Sequence, residues 1–197
     1  MKTVGITGGI GSGKSTIASF FNSEFNIPVY YADAEAKALM HTEALKEKII
    51  SLFGAEAYQD HKLNRKFISE LVFKDEHLLE QLNKIVHPAV GEHFKQWKEA
   101  QQAPYVLKEA AILFENGTAQ SCDAIILITA PEEVRIQRVL KRDETSVAAI
   151  KDRMNKQWPD AKKIPLADFL IENIDLEESK KQVRKIHLQL LGDRVNT

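Results

Sequence analysis

Cysteine is nearly absent from this 197-residue sequence, with Cys122 standing alone. One thiol excludes an intrachain disulfide and a thiolate-held metal cluster, and Cys122 reads as a small buried apolar side chain. Long apolar runs are missing as well. No stretch reaches the roughly 18 residues needed to cross a bilayer, so no membrane partner is expected. The opening Met-Lys-Thr-Val-Gly-Ile-Thr has no apolar secretory core, and the expected location is the cytoplasm. Charge of one sign is not in excess either. Lys and Arg total 27 against 28 Asp and Glu, which excludes the broad basic field of a nucleic-acid binder. Repeats and low-complexity tracts are lacking.

What is present suits a globular chain: 44% of residues are hydrophobic and 28% charged, enough apolar material for a core. Val4 and Ile6 mark a short strand over 3–7 that runs directly into glycines. Ile17, Ala18, Phe20, Phe21 and Phe25 then recur at helical spacing, Asn26-Ile27-Pro28 breaks the pattern, and Val29-Tyr30-Tyr31 is β-prone. A strand–loop–helix–strand opening predicts a parallel α/β sheet. Residues 34–103 carry helical patterns and no convincing strand; one of them, Leu78, Leu79, Leu82, Ile85 and Val86, is expected to stop at His87-Pro88. Strands resume at 105–107 and at Ala124-Ile125-Ile126-Leu127-Ile128-Thr129, an apolar run fit for burial on both faces. Pro131 opens a helix, 169–171 form a last strand, and Val183, Ile186, Leu190 and Leu191 line a terminal helix.

The decisive motif is Gly8-Gly9-Ile10-Gly11-Ser12-Gly13-Lys14-Ser15, which fits G-x-x-x-x-G-K-[ST]. Its glycines let successive amides curl inward around phosphates. Lys14 supplies a compact cation to the β- and γ-phosphates, the Ser15 hydroxyl suits Mg²⁺, and the following helix presents its positive end. A strand before and a helix after complete the context of a P-loop. The expected ligands are therefore ATP and Mg²⁺, with residues 9–16 as the cradle.

Several P-loop classes compete. A GTPase needs N-K-x-D and D-x-x-G; Asn155-Lys156-Gln157-Trp158 lacks the aspartate, and no D-x-x-G occurs. An ABC-type or helicase ATPase needs a longer chain. A regulatory nucleotide-binding ATPase leaves the remaining features idle, whereas a small-molecule kinase uses them. One is Asp33, just beyond the second strand, where ligands of parallel sheets collect. From pattern alone it reads equally as a proton acceptor or a helix N-cap. Another is the stretch 135–163, with nine Lys/Arg against four acids. Arg138 and Arg142, four apart, form a fork for a triphosphate, while Arg135, Lys141, Lys162 and Lys163 read as a solvated face.

The ordered set Thr7 through Thr16, Ala32-Asp33, Leu63-Asn64-Arg65, Ile85-Val86-His87-Pro88, Leu113-Phe114-Glu115, Arg138 with Arg142-Asp143, Gln157 and Ile171-Glu172-Asn173 resembles the dephospho-coenzyme A kinase family over nearly the whole chain. The resemblance implies a P-loop core (1–33, 104–137 and 164–197), a helical coenzyme-A-binding insert (34–103) and a small helical lid (138–163). It implies phosphorylation of the ribose 3′-hydroxyl of dephospho-coenzyme A, by a monomer or small homo-oligomer. Asp33 becomes the base on the acceptor hydroxyl. Arg65, His87, Leu113 and Glu115 fall on the acceptor side, Arg142 reaches over the phosphates, and Asn173 lies beside the adenine. The alternative is a nucleoside monophosphate kinase or another small-metabolite kinase on the same core.

Two positions depart from the family pattern. Tyr31 stands where a second aspartate often precedes the catalytic one, and Lys108-Glu109 replaces the Asp that commonly follows the 105–107 strand. Glu109 is then the carboxylate that meets Mg²⁺ through water.

Overall fold

The computed structural model describes residues 1–192. Within them the chain forms two compact units, one of residues 1–31 with 101–192 and the other of residues 32–100.

The first unit is built on five parallel strands in the order β2-β5-β1-β6-β7: β1 Lys2–Thr7, β2 Val29–Tyr31, β5 Tyr105–Glu109, β6 Ala124–Thr129 and β7 Phe169–Glu172. The strands are short and apolar because both faces are covered, as parallel sheets require. On one face Val4, Ile6, Leu107, Ile126, Ile128 and Ile171 meet helices α1 (Lys14–Phe25) and α9 (Leu176–Leu191) through Ile17, Phe21, Val183 and Ile186, all buried. Asn26 ends α1 in the left-handed region, φ 54°, with its amide on Asn22 O at 2.9 Å, as the Asn-Ile-Pro break predicts. Helices α6 (Glu132–Arg142), α7 (Val147–Asn155) and α8 (Asp160–Lys163) follow β6. Ile136, Val139 and Ile150 of α6 and α7 make a small core of their own.

Since every strand points the same way, their carboxyl ends meet at one edge. Ile6 registers with Glu109, Glu109 with Tyr31, and Thr129 with Glu172. The loops that leave these ends are those that carry the chemistry-bearing residues.

The second unit contains α2 (Ala32–Leu39), α3 (Glu43–Phe53), β3 (Tyr58–Gln59), β4 (Lys62–Leu63), α4 (Arg65–Lys74) and α5 (Glu76–Glu99). Two sequence expectations are corrected here. The segment expected to be helical throughout holds a β3–β4 hairpin, because Asp60 and His61 take φ 49° and 61° and form a two-residue turn of the primed type. Strands of two residues are too short for alternation to show. Nor does His87-Pro88 stop the helix, since α5 runs through Pro88 for 24 residues. The proline removes one hydrogen bond at a cost of about 3 kcal/mol. Against this, the buried Val86 and the partly buried Leu78, Leu82, Ile85, Ala89 and Val90 pack on a core of Leu45, Ile49, Phe53 and Ile68. Full burial of one large side chain contributes roughly 1.5–3 kcal/mol, so several partial burials together exceed the loss. Packing wins. Asp75 caps this helix, accepting from His77 N at 2.9 Å.

Candidate active site

Residues 8–13 pass from β1 to α1 as a tight glycine-rich loop. Gly11 and Gly13 adopt φ 78° and 91°, a region costly to side chains. Space is as restrictive as backbone angle. A Cβ on Gly13 would sit 2.1 Å from Asn173 Nδ2, and one on Gly11 would sit 2.4 Å from the backbone oxygen of Arg135. Gly13→Ala is therefore expected to cost about 1–3 kcal/mol in urea unfolding, from backbone strain and displacement of Asn173 together. A stability equal to the parent's would show that the loop relaxes without cost.

The loop opens onto a cavity of about 500 Å³ lined by Gly11, Gly13, Lys14, Ser15, Thr16, Arg138, Val139, Arg142, Asn173, Ile174 and Leu176. Its chemistry is divided. The glycine backbone and the first turn of α1 supply amides and the positive end of a 12-residue helix. Lys14, Arg138 and Arg142 add three cations. Ile174 and Leu176, each about half exposed, form an apolar ledge. A polyanion attached to a flat, weakly polar group matches both parts. The sequence pattern missed Ile174 and Leu176; its only hint of them was two apolar residues in the turn after Asn173.

Asn173 itself is buried and belongs to the scaffold of the loop. It donates from Nδ2 to Ser12 O at 2.8 Å, and its Oδ1 accepts from Ser179 Oγ at 3.1 Å. Arg138 Nη1 approaches the same Ser12 oxygen at 3.4 Å. Arg142 is 65% exposed and gripped by its neighbour, Nε to Asp143 Oδ1 at 2.8 Å and Nη2 to Oδ2 at 3.0 Å. That bidentate bond holds the Asp143 carboxyl below its usual range and raises Arg142. The Ser12 hydroxyl is buried without a partner, an orphan acceptor and donor inside the cradle.

Ile10 differs from the rest of the loop. Its amide donates to Gln157 Oε1 at 2.8 Å and its carbonyl accepts from Arg135 Nε at 2.9 Å, so both of its peptide groups face the protein. Arg135, expected on a solvated face, is instead 12% exposed and paired with Asp160 at 3.4 Å. Lys163, also expected in solvent, is fully buried, its Nζ 2.8 Å from Glu115 Oε1. Both corrections have one cause: the partners lie far away in sequence, out of reach of a local charge pattern.

Glu109 is buried at the carboxyl end of β5. Burial, and secondarily the neighbouring Glu109, raises the Tyr31 phenol. Leu113 is fully buried over Gly5, and Glu115 accepts from Trp158 N at 3.0 Å as well as pairing with Lys163. In this structure, then, those two side chains pack and tether. Asp33, Arg65 and His87 are exposed on the second unit. Asp33 is the second residue of α2, inside its first turn and not at its cap position. Arg65 is the first residue of α4, directly after the capping Asn64, whose Oδ1 accepts from Phe67 N at 3.2 Å.

Comparisons with known proteins agree with this geometry. The sequence profile of CoaE, dephospho-CoA kinase, matches residues 2–178. A dephospho-CoA kinase of Salinibacter ruber is 40% identical over 178 residues, spanning 88% of this chain and 89% of its own. One from Bacteroides fragilis is 36% identical over 172 residues, covering 86% and 83%. The crystal structure of TT1252 from Thermus thermophilus superimposes with a TM-score of 0.88 at 34% identity, over 95% of this chain and 96% of that one. With a P-loop on a parallel five-stranded sheet and a matching profile over nine-tenths of its length, the chain belongs to the dephospho-CoA kinase family.

Proposed function

We propose that this protein transfers the γ-phosphoryl group of ATP to the ribose 3′-hydroxyl of dephospho-coenzyme A, yielding coenzyme A and ADP. The observation that carries the reading is the divided cavity, three cations and a glycine cradle beside an apolar ledge, in a chain that matches the family profile over 2–178. The cradle takes the phosphate tail. Ile174 and Leu176 offer the base an apolar surface, and Asn173 fixes the loop beneath it.

Mg²⁺ fits the residues present. It commonly takes only one or two protein ligands along with phosphate and water. The Ser15 hydroxyl in the first turn of α1 would be the one direct protein ligand, and the buried Glu109 carboxylate would meet the ion through water. When bound, the ion neutralises charge on the transferring phosphoryl group.

The chain's own residues do the rest. Lys14 holds the β- and γ-phosphates, and Arg138 draws on the same oxygens from α6. Arg142 exchanges Asp143 for phosphate as it closes over the nucleotide and helps to exclude water. Asp33 accepts the 3′-hydroxyl proton while that oxygen attacks phosphorus in line with the departing ADP. Arg65 and His87 engage the acceptor. Phosphoryl transfer asks mainly for positioning and charge stabilisation, and one well-placed carboxylate suffices for the proton, even with Tyr31 in place of a second acid.

The direct test is ADP release from MgATP with dephospho-coenzyme A, with a panel of nucleoside monophosphates, and with no acceptor. The expected result is release that depends on dephospho-coenzyme A, with a product heavier by one phosphoryl group on the ribose. Equal release with a monophosphate, or without acceptor, overturns the assignment.

A further inference from the structure

The glycine-rich loop is the part of the site least able to hold its own shape. It has few side chains to lock it, and its shape is what directs the amides. The structure shows a brace on its midpoint. Ile10 is bound from three sides. Its side chain packs on the core of Ile136, Val139 and Ile150, with Leu140 and Met154 beside it. Its N–H is taken by Gln157, 147 residues on, at 2.8 Å. Its C=O is taken by Arg135 at 2.9 Å. The Arg135 guanidinium also lies against the loop, since a Cβ on Gly9 would fall 2.0 Å from its Nη2.

The residues that grip Ile10 are themselves pinned. Arg135 is joined to Asp160 at 3.4 Å. One residue past Gln157, Trp158 N donates to Glu115 at 3.0 Å, and its ring lies under Lys162 Nζ at 3.4 Å. Lys163 closes the stretch on the same carboxylate at 2.8 Å. These interactions recruit polar side chains that are nearly buried, Arg135 at 12% and Lys163 at 0% exposure. Charged groups are seldom desolvated in this way unless paired, and here both pairs end on the 157–163 stretch.

We propose that Gln157 and Arg135 are positioning residues for ATP, which act by holding Ile10 and thereby the whole phosphate loop in its binding shape. The inference rests on the ATP reading of this loop but not on the identity of the acceptor. Neither residue needs to touch the nucleotide. Gln157 supplies one acceptor atom that adds to the loop's internal bond from Ser12 N to Gly9 O at 3.1 Å. Because one bond runs from the loop directly to Gln157 and the other reaches the 157–163 stretch through Arg135 and Asp160, order in one place favours order in the other. Nucleotide binding should then tighten 157–163, and loosening 157–163 should weaken the nucleotide, by the same factor.

The test compares the full-length parent chain with Gln157→Met, which keeps length and volume but removes the acceptor atom. Calorimetry with MgATP is expected to show dissociation raised about 10-fold, within the range usual for coupled sites. KM for ATP should rise in parallel, while KM for dephospho-coenzyme A stays within about twofold. In hydrogen exchange, MgATP should protect amides 157–163 in the parent and protect them less in the variant. An unchanged ATP affinity in a variant that melts cooperatively overturns the proposal. So does an equal rise in both KM values, which would mark Gln157 as merely structural. If Gln157→Met does not fold, Arg135→Met decides instead: it removes the donor to the Ile10 carbonyl and must show the same ATP-selective loss. A parent chain that takes up no MgATP would instead refute the functional reading beneath.

Discussion

Lys14→Ala is expected to remove nearly all activity, lowering kcat/KM for ATP by roughly 10²–10³-fold or more. Lys14 is the first residue of α1 and lies in the wall of the nucleotide cavity. Its ammonium is compact, and attraction for phosphates in a partly enclosed cavity counts for more than it would in open water. The effect should divide between binding and turnover, because the β- and γ-phosphates carry charge before and during transfer. Calorimetry should therefore show weakened MgATP uptake, and single-turnover measurement a slower chemical step. The fold should survive, since the side chain is only half-buried and α1 keeps Ile17, Ala18 and Phe21 in the core. Near-normal affinity together with near-normal turnover would mean that the loop holds its ligand by amides alone. Lys14→Arg should not rescue, because a planar fork does not replace a point charge in a cradle of this size.

Asp33→Asn should behave differently. The amide has nearly the shape of the carboxylate but cannot take a proton, so turnover is expected to fall by about 10²–10⁴-fold, the usual contribution of a positioned general base. MgATP affinity should stay within about twofold, since Asp33 does not line the nucleotide cavity and such a loss belongs to the chemical step. The contrast with Lys14→Ala is the informative part. A variant that turns over normally would show that the acceptor hydroxyl needs no base here, or that another group supplies it. Stability is a useful control. Asp33 is exposed in the first turn of α2, where an acid interacts favourably with the helix dipole, so its loss should cost only about 0.3–1 kcal/mol.

The readings that held are those whose cause lies within a few residues. The glycine-rich loop is legible because its glycines act through the backbone they stand on: φ 78° and 91° at Gly11 and Gly13 are needs of the local chain. The apolar run 124–129 announces a buried strand for the same reason, as does the Asn-Ile-Pro stop after α1. Arg138 and Arg142 are four apart on one helix and face one cavity, as their spacing requires.

The readings that failed concern partners far apart in the chain. Pro88 argues for a helix end until the core under α5 is known, and only then does the lost hydrogen bond prove the smaller term. Arg135 and Lys163 look like solvent-facing charges in a basic stretch, yet Asp160, Glu115 and the Ile10 carbonyl draw them inside. Gln157 gives no local sign that its oxygen closes on an amide 147 residues earlier. Chain-local chemistry thus told where the glycine-rich loop forms and on what kind of sheet. Folding alone told which buried side chains hold that site in shape, because desolvation and pairing depend on neighbours in space.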